Sequence, residues 1–145
     1  MNKVRTIFFA LCTMFANGVA ADDFNPDKLD TDIDLVTTKG LWENNKEIGR
    51  YRLVVKKIGW EHTRSFIYIQ WILLDQNQQE AKLIKSLPVD EFNTDDWRFF
   101  HSASFSNGEF ILNYENRGRG TPQKAILTPG IPGKYKIEIK KENFE

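Results

Sequence analysis

The chain has 145 residues, and its 20 basic and 20 acidic side chains cancel at neutral pH. That balance lacks the basic excess a nucleic-acid ligand demands, and a single cysteine, Cys12, excludes an internal disulfide framework. The length suits one domain, large enough to be stable on packing alone.

The first residues read MNKVRTIFFALCTMFANGVAADD. A basic head (Lys3, Arg5), an apolar run from Thr6 to Ala16 and a close of small residues form the pattern of a secretory signal peptide, and the run is too short to span a bilayer. Val19 and Ala21 stand three and one positions before Asp22, which predicts cleavage after Ala21. Cys12 lies inside the apolar run, so a lipid anchor is not expected. Cleavage of the first 21 residues leaves 124 and lowers the basic count to 18 against 20 acidic groups. The expectation is a cysteine-free protein of the bacterial periplasm or exterior, not membrane-spanning and without a nucleic-acid partner.

Residues 22–35 read as an acidic leader, followed by a single β-rich domain over 36–145. Asp30, Asp32 and Asp34 match the first positions of a calcium loop, but Leu35 stands where glycine is needed and Leu41 where the bidentate glutamate belongs. A solvated edge is the expectation, with no metal or cofactor.

From Val36 onward, strand-like segments alternate with turn chemistry. In GRYRLVVKKIGWEH, Tyr51, Leu53 and Val55 share one face, opposite Arg50, Arg52, Val54 and Lys56. The apolar phase then switches at Ile58 and Trp60, which a bulge near Lys56-Lys57 would reconcile. The next strand, FIYIQWILLD, is apolar on both faces. Ile67, Ile69, Trp71 and Leu73 form one row, and Phe66, Tyr68, Ile72 and Leu74 nearly fill the other, broken only by Gln70. Setting Leu53 against Trp71, Tyr51 against Leu73 and Val55 against Ile69 makes the first row the core. The second row then lies beside Arg52, Val54 and Lys56. Its cover could come from the chain itself, through the segment from Ile33 to Trp42 or a loop, or from a protein partner or second subunit.

SLPVDEFNTDDW predicts a turn or one helical turn. In WRFFHSASFSNGEFILNYE, Asn107-Gly108 is the dipeptide preferred in two-residue hairpins. It pairs Phe105 with Phe110, Ala103 with Leu112 and His101 with Tyr114, all on the core face, continued by Trp97 and Phe99. AILTPGIPG predicts a strand broken by Pro129. In GKYKIEIKK, Tyr135, Ile137 and Ile139 alternate inward, and the tyrosine sits where it could tie down a sandwich corner. Short strands with frequent turns predict an all-β antiparallel sandwich, immunoglobulin-like or jelly-roll-like, with a partly closed β-barrel as the alternative.

Catalytic motifs are absent: no nucleophile elbow, P-loop, dinucleotide-binding turn or zinc-protease helix. His62 and His101 cannot make a typical zinc site without carboxylate help, so an envelope enzyme would need a histidine–carboxylate pair. NRGRG carries Arg117 and Arg119 on a glycine-rich loop that could offer planar donor forks to an anion. Trp71 and Trp97 fall on the core pattern, which leaves Trp42 and Trp60 as candidate stacking platforms. The main functional expectation is an exported, non-catalytic interaction module. It would bind a protein partner or a second copy through Phe66, Tyr68, Gln70, Ile72, Arg52 and Lys56, in an inhibitor- or immunity-type role. The alternatives are a small-ligand or carbohydrate-binding domain using Trp42, Trp60 and the loop of Arg117 and Arg119, and a small envelope enzyme using a histidine–carboxylate pair.

Overall fold

The computed structural model describes residues 30–60, 63–75, 80–94, 98–116, 120 and 122–140. Residues 1–21, most of the acidic leader, His62, Trp97, Arg117 and Arg119 lie outside the described residues. The described chain forms β1 (Ile33–Asn44), β2 (Glu47–Ile58), β3 (Arg64–Leu74) and β4 (Ala81–Pro88), then the single helical turn α1 (Asp90–Asn93). It continues with β5 (Arg98–Ser106), β6 (Glu109–Asn116), β7 (Pro122–Pro129) and β8 (Tyr135–Lys140). β1 thus begins inside the stretch that reads as leader.

Strands β1–β4 make one antiparallel sheet and β5–β8 a second, each in sequential order, and neither closes into a barrel. This is the expected all-β sandwich. Every pairing joins consecutive strands, so each layer is an up-and-down meander. Immunoglobulin-like and jelly-roll sandwiches carry Greek-key connections; here, among the described residues, the chain passes between layers once, after α1.

Two hairpins turn on pairs of positive-φ residues, Asn45 (49°) with Lys46 (70°) and Asn107 (52°) with Gly108 (82°). That backbone twist matches the flanking strands. The second turn fixes Phe105 opposite Phe110 and Ala103 opposite Leu112, as its dipeptide predicts.

Further along the same hairpin the pairing departs from expectation. A register shift between Phe100 and Ser102 leaves His101 as the extra residue, so Phe100, not His101, opposes Tyr114. One extra residue reverses side-chain parity. Phe100 is therefore buried, whereas His101 is exposed and Phe99 only half-buried. The β2–β3 register also differs. Tyr51 faces Trp71, Leu53 faces Ile69 and Val55 faces Ile67, two residues from the predicted pairing. No bulge falls at Lys56-Lys57; the ladder runs unbroken to Ile58 opposite Arg64. A slip of two preserves parity, so the predicted core face stands: Ile67, Ile69 and Trp71 are fully buried.

Those side chains meet Phe100, Phe110, Leu112, Tyr114, Ala125 and Leu127 of the second sheet in one core. Tyr135, Ile137 and Ile139 pack against its margin from β8. α1 closes one end by burying Phe92. Beside it, the Asn93 amide works like a short piece of strand: Ile67 N donates to Oδ1 at 2.7 Å and Nδ2 donates to Ile67 O at 2.9 Å. Polar ties cross between the layers. Phe100 N donates to the buried Ser65 Oγ (3.1 Å), and Trp71 Nε1 donates to Gly130 O (2.8 Å). The Tyr135 hydroxyl reaches Pro88 O at 3.1 Å and the Glu91 carboxylate at 2.9 Å.

Candidate functional site

The second sheet covers only the inner face of the first. Because side chains alternate along each strand, even-numbered residues of β2 and β3 point away from the core. They line up across the sheet in rungs set by the register. Ile33, Lys56 and Phe66 form one; Val36, Val54, Tyr68 and Pro88 the next; then Thr38, Arg52, Gln70 and Ser86. Arg50, Ile72 and Leu83 follow.

This ladder resolves the double-sided pattern of β3. The segment from Ile33 to Trp42 does not fold across the face. It extends the sheet sideways as edge strand β1, because its backbone groups gain ladder partners on β2 along its length, with register shifts at Ile33/Leu35 and Lys39/Trp42. Among the described residues every strand belongs to one of the two sheets, and the rungs stay open to solvent. Val36 is 49 % exposed, Leu83 46 % and Ile58 45 %. Phe66, Tyr68 and Gln70 are half-buried, and Ile72 is buried among its neighbours even here.

Gln70, the single interruption in the apolar row, sits in a polar rung. Arg52 Nε donates to Gln70 Oε1 at 2.7 Å, and Gln70 Nε2 donates to Ser86 Oγ at 3.1 Å. At one margin the Arg64 guanidinium lies 5.1 Å from the Phe66 ring centroid, within cation–π range. Lys56 is held by Asp30, Nζ to Oδ2 at 2.5 Å. The Lys56 bond, with a second from Asp32 N, holds the Asp30 carboxyl below its ordinary range, and the same pairing raises Lys56. Asp34 pairs with Lys57 at 3.0 Å. Two of the aspartates that mimic a calcium loop are therefore engaged with lysines. Among the described residues, no three His, Cys, Asp or Glu side chains gather to hold a metal ion.

The structure brings together Arg52, Lys56, Phe66, Tyr68, Gln70 and Ile72 on one surface. Trp60 stands apart in the loop after β2, 96 % exposed. Trp42 is no stacking platform. Its indole is buried against Gly49, and its Nε1 donates to Arg50 O at 3.2 Å. The signal for this was Gly49 itself, since a Cβ there would fall 2.4 Å from the Trp42 ring. His101 lies on the outer side of β5, its Nε2 3.3 Å from the Glu115 carboxylate and its ring edge-on to Phe99.

Arg50, which the sequence reading left out of the site, lies on the same open face two residues from Arg52. An apolar cleft of about 570 Å³ opens at the β7–β8 hairpin, between Thr128 and Lys136. It adjoins one of about 470 Å³ that includes Glu109, Ile126 and Glu138. Neither is lined by His101 or by a residue the sequence singles out for binding. Among the described residues no helix is long and apolar enough to cross a membrane. No family model, curated protein or solved structure matches this chain.

Proposed function

We propose that this protein is an exported, non-catalytic interaction module that docks a protein partner on the outer face of the β1–β4 sheet. The observation that carries this reading is the open ladder of rungs. Aromatic and aliphatic side chains from four strands lie side by side around a hydrogen-bonded arginine, with no other described strand over them. Monomers seldom leave a contiguous apolar patch beyond a few hundred Å², and aromatic residues with arginine are enriched at the centres of interfaces. Export is supported by the signal-peptide pattern of residues 1–21.

Tyr68→Lys tests the reading, because Tyr68 is half-buried on the open face and takes no part in the core. Tagged protein recovered from the envelope fraction should begin at Asp22 by intact mass. It should retain a specific protein on affinity capture, or a second copy by light scattering. The Tyr68→Lys protein should lose that retention at least tenfold while its thermal midpoint moves by only a few degrees. Equal retention by both proteins, or strictly monomeric protein with nothing retained, counts against it.

A further inference from the structure

The polar rung in the middle of the open face specifies what a partner must present there. Arg52 is fixed by its Nε bond to Gln70, and Gln70 is fixed in turn by Ser86. Among the described residues no acceptor meets either terminal Nη nitrogen of Arg52. Arg50 projects from the same face two residues along β2, a spacing of roughly 7 Å, exposed and likewise without a described partner. Apolar side chains lie around the pair: Val36, Val54 and Tyr68 in the rung beyond Arg52, and Ile72 and Leu83 in the rung of Arg50 itself.

A wholly apolar partner closing over this face would strip both guanidinium groups of water and leave them unpaired, which is strongly unfavourable. A carboxylate meets the requirement, since it accepts two parallel bonds from the planar fork that Gln70 already holds in place. A second copy does not. Packed face to face about a two-fold axis near the polar rung, the sheet would set these arginines against their own copies. Among the described residues, the acids on or beside the open face gather at its ends: Asp30, bound to Lys56, with Asp32, which also acts on Lys56, at one, and Glu43 at the far end of β1.

We infer that the partner is a protein segment that places an aspartate or glutamate on Arg52, a second acidic group within reach of Arg50, and apolar side chains on the flanking rungs. This rests on the docking face proposed above. Arg52 is then the residue that selects the partner, and Gln70 the residue that positions Arg52.

Selection of a random dodecapeptide display library on the immobilised protein tests both parts separately. The expected survivors carry Asp or Glu flanked by apolar residues. Their binding should fall at least tenfold in Arg52→Gln, recover only in part in Arg52→Lys, which keeps the charge without the fork, and weaken as NaCl rises. Apolar survivors with no acidic preference, lost in Tyr68→Lys but kept in Arg52→Gln, overturn the carboxylate inference and leave the docking face standing. Survivors indifferent to both substitutions overturn both. Sedimentation with phosphatidylglycerol-containing vesicles but not with phosphatidylcholine ones, lost in Arg52→Gln, overturns the inference in favour of a lipid surface. Self-association lost in Arg52→Gln overturns it in favour of a second copy.

Discussion

Tyr135 is where a single hydroxyl joins three parts of the fold. It opens β8, yet its oxygen meets Pro88 O at the end of β4, the Glu91 carboxylate on α1 and, at 3.3 Å, Asp90 N. Burial, together with the Glu91 carboxylate, pushes its pKa up to about 12, from an ordinary value near 10. The folded state therefore holds this proton more tightly than the unfolded chain. Its contribution is fully present below about pH 10 and is lost as pH rises through about 12. Tyr135→Phe should lower stability by about 1–2 kcal/mol at pH 7, the range for removing a hydroxyl that satisfies a polar neighbour. It should also make the alkaline loss shallower, though not abolish it, because burial raises Tyr51 as well. Urea denaturation at pH 7, and in steps from about pH 9 to 12, measures both. The sequence made this residue legible as a corner tie, but not its partners, which come from a strand end and a helical turn more than forty positions away. The open-face residues divide in the same way. Phe66, Tyr68, Gln70 and Ile72 could be read from alternation, and Arg52 from its strand. The hydrogen bond that orients Arg52 needed the true register.

Among the strands, legibility followed how firmly each register is pinned. Asn107-Gly108 demands positive φ at both central positions, so the β5–β6 pairing near that turn could be read directly. Between β2 and β3 the connecting loop carries no such constraint, and the pairing slid by two residues, leaving every side chain on its predicted face. His101 broke the pattern because a single bulged residue reverses parity, and nothing in HSASF announces it. β1 carries a comparable device. Gly40, at φ +66°, lies in a register shift between Lys39 and Trp42. Trp42 turns inward while Leu41 is left exposed.

Glycine substitutions separate backbone cost from crowding. At Gly108 (φ +82°) an added Cβ meets nothing within 4 Å, so Gly108→Ala should cost about 1 kcal/mol through conformation alone. At Gly49 an added Cβ would fall 2.2 Å from Ile72 O and 2.4 Å from the Trp42 ring. Gly49→Ala should therefore exceed about 2 kcal/mol, as overpacking does, and shift the fluorescence of the displaced Trp42. Denaturation midpoints that rank the two the other way would contradict the packing described for β1 and β2.

At the scale of the molecule, two meanders pressed inner face to inner face satisfy one side of each sheet and leave two outer sides. These are not equivalent. On the second sheet, the outward residues of β8 are Lys136 and Glu138, which suits a solvated surface. On the first sheet the outward rungs are largely apolar, and the hydrogen-bonded Arg52 lies among them. That asymmetry underlies the proposed function, and site-specific photo-crosslinking in the native host tests it most directly. A benzophenone amino acid is placed at Tyr68 on the first sheet or at Ile126, an outward position of β7 on the second. A discrete crosslinked protein species is expected from position 68 and none from position 126. Crosslinking from 126 alone, or equally from both, would contradict the proposed function.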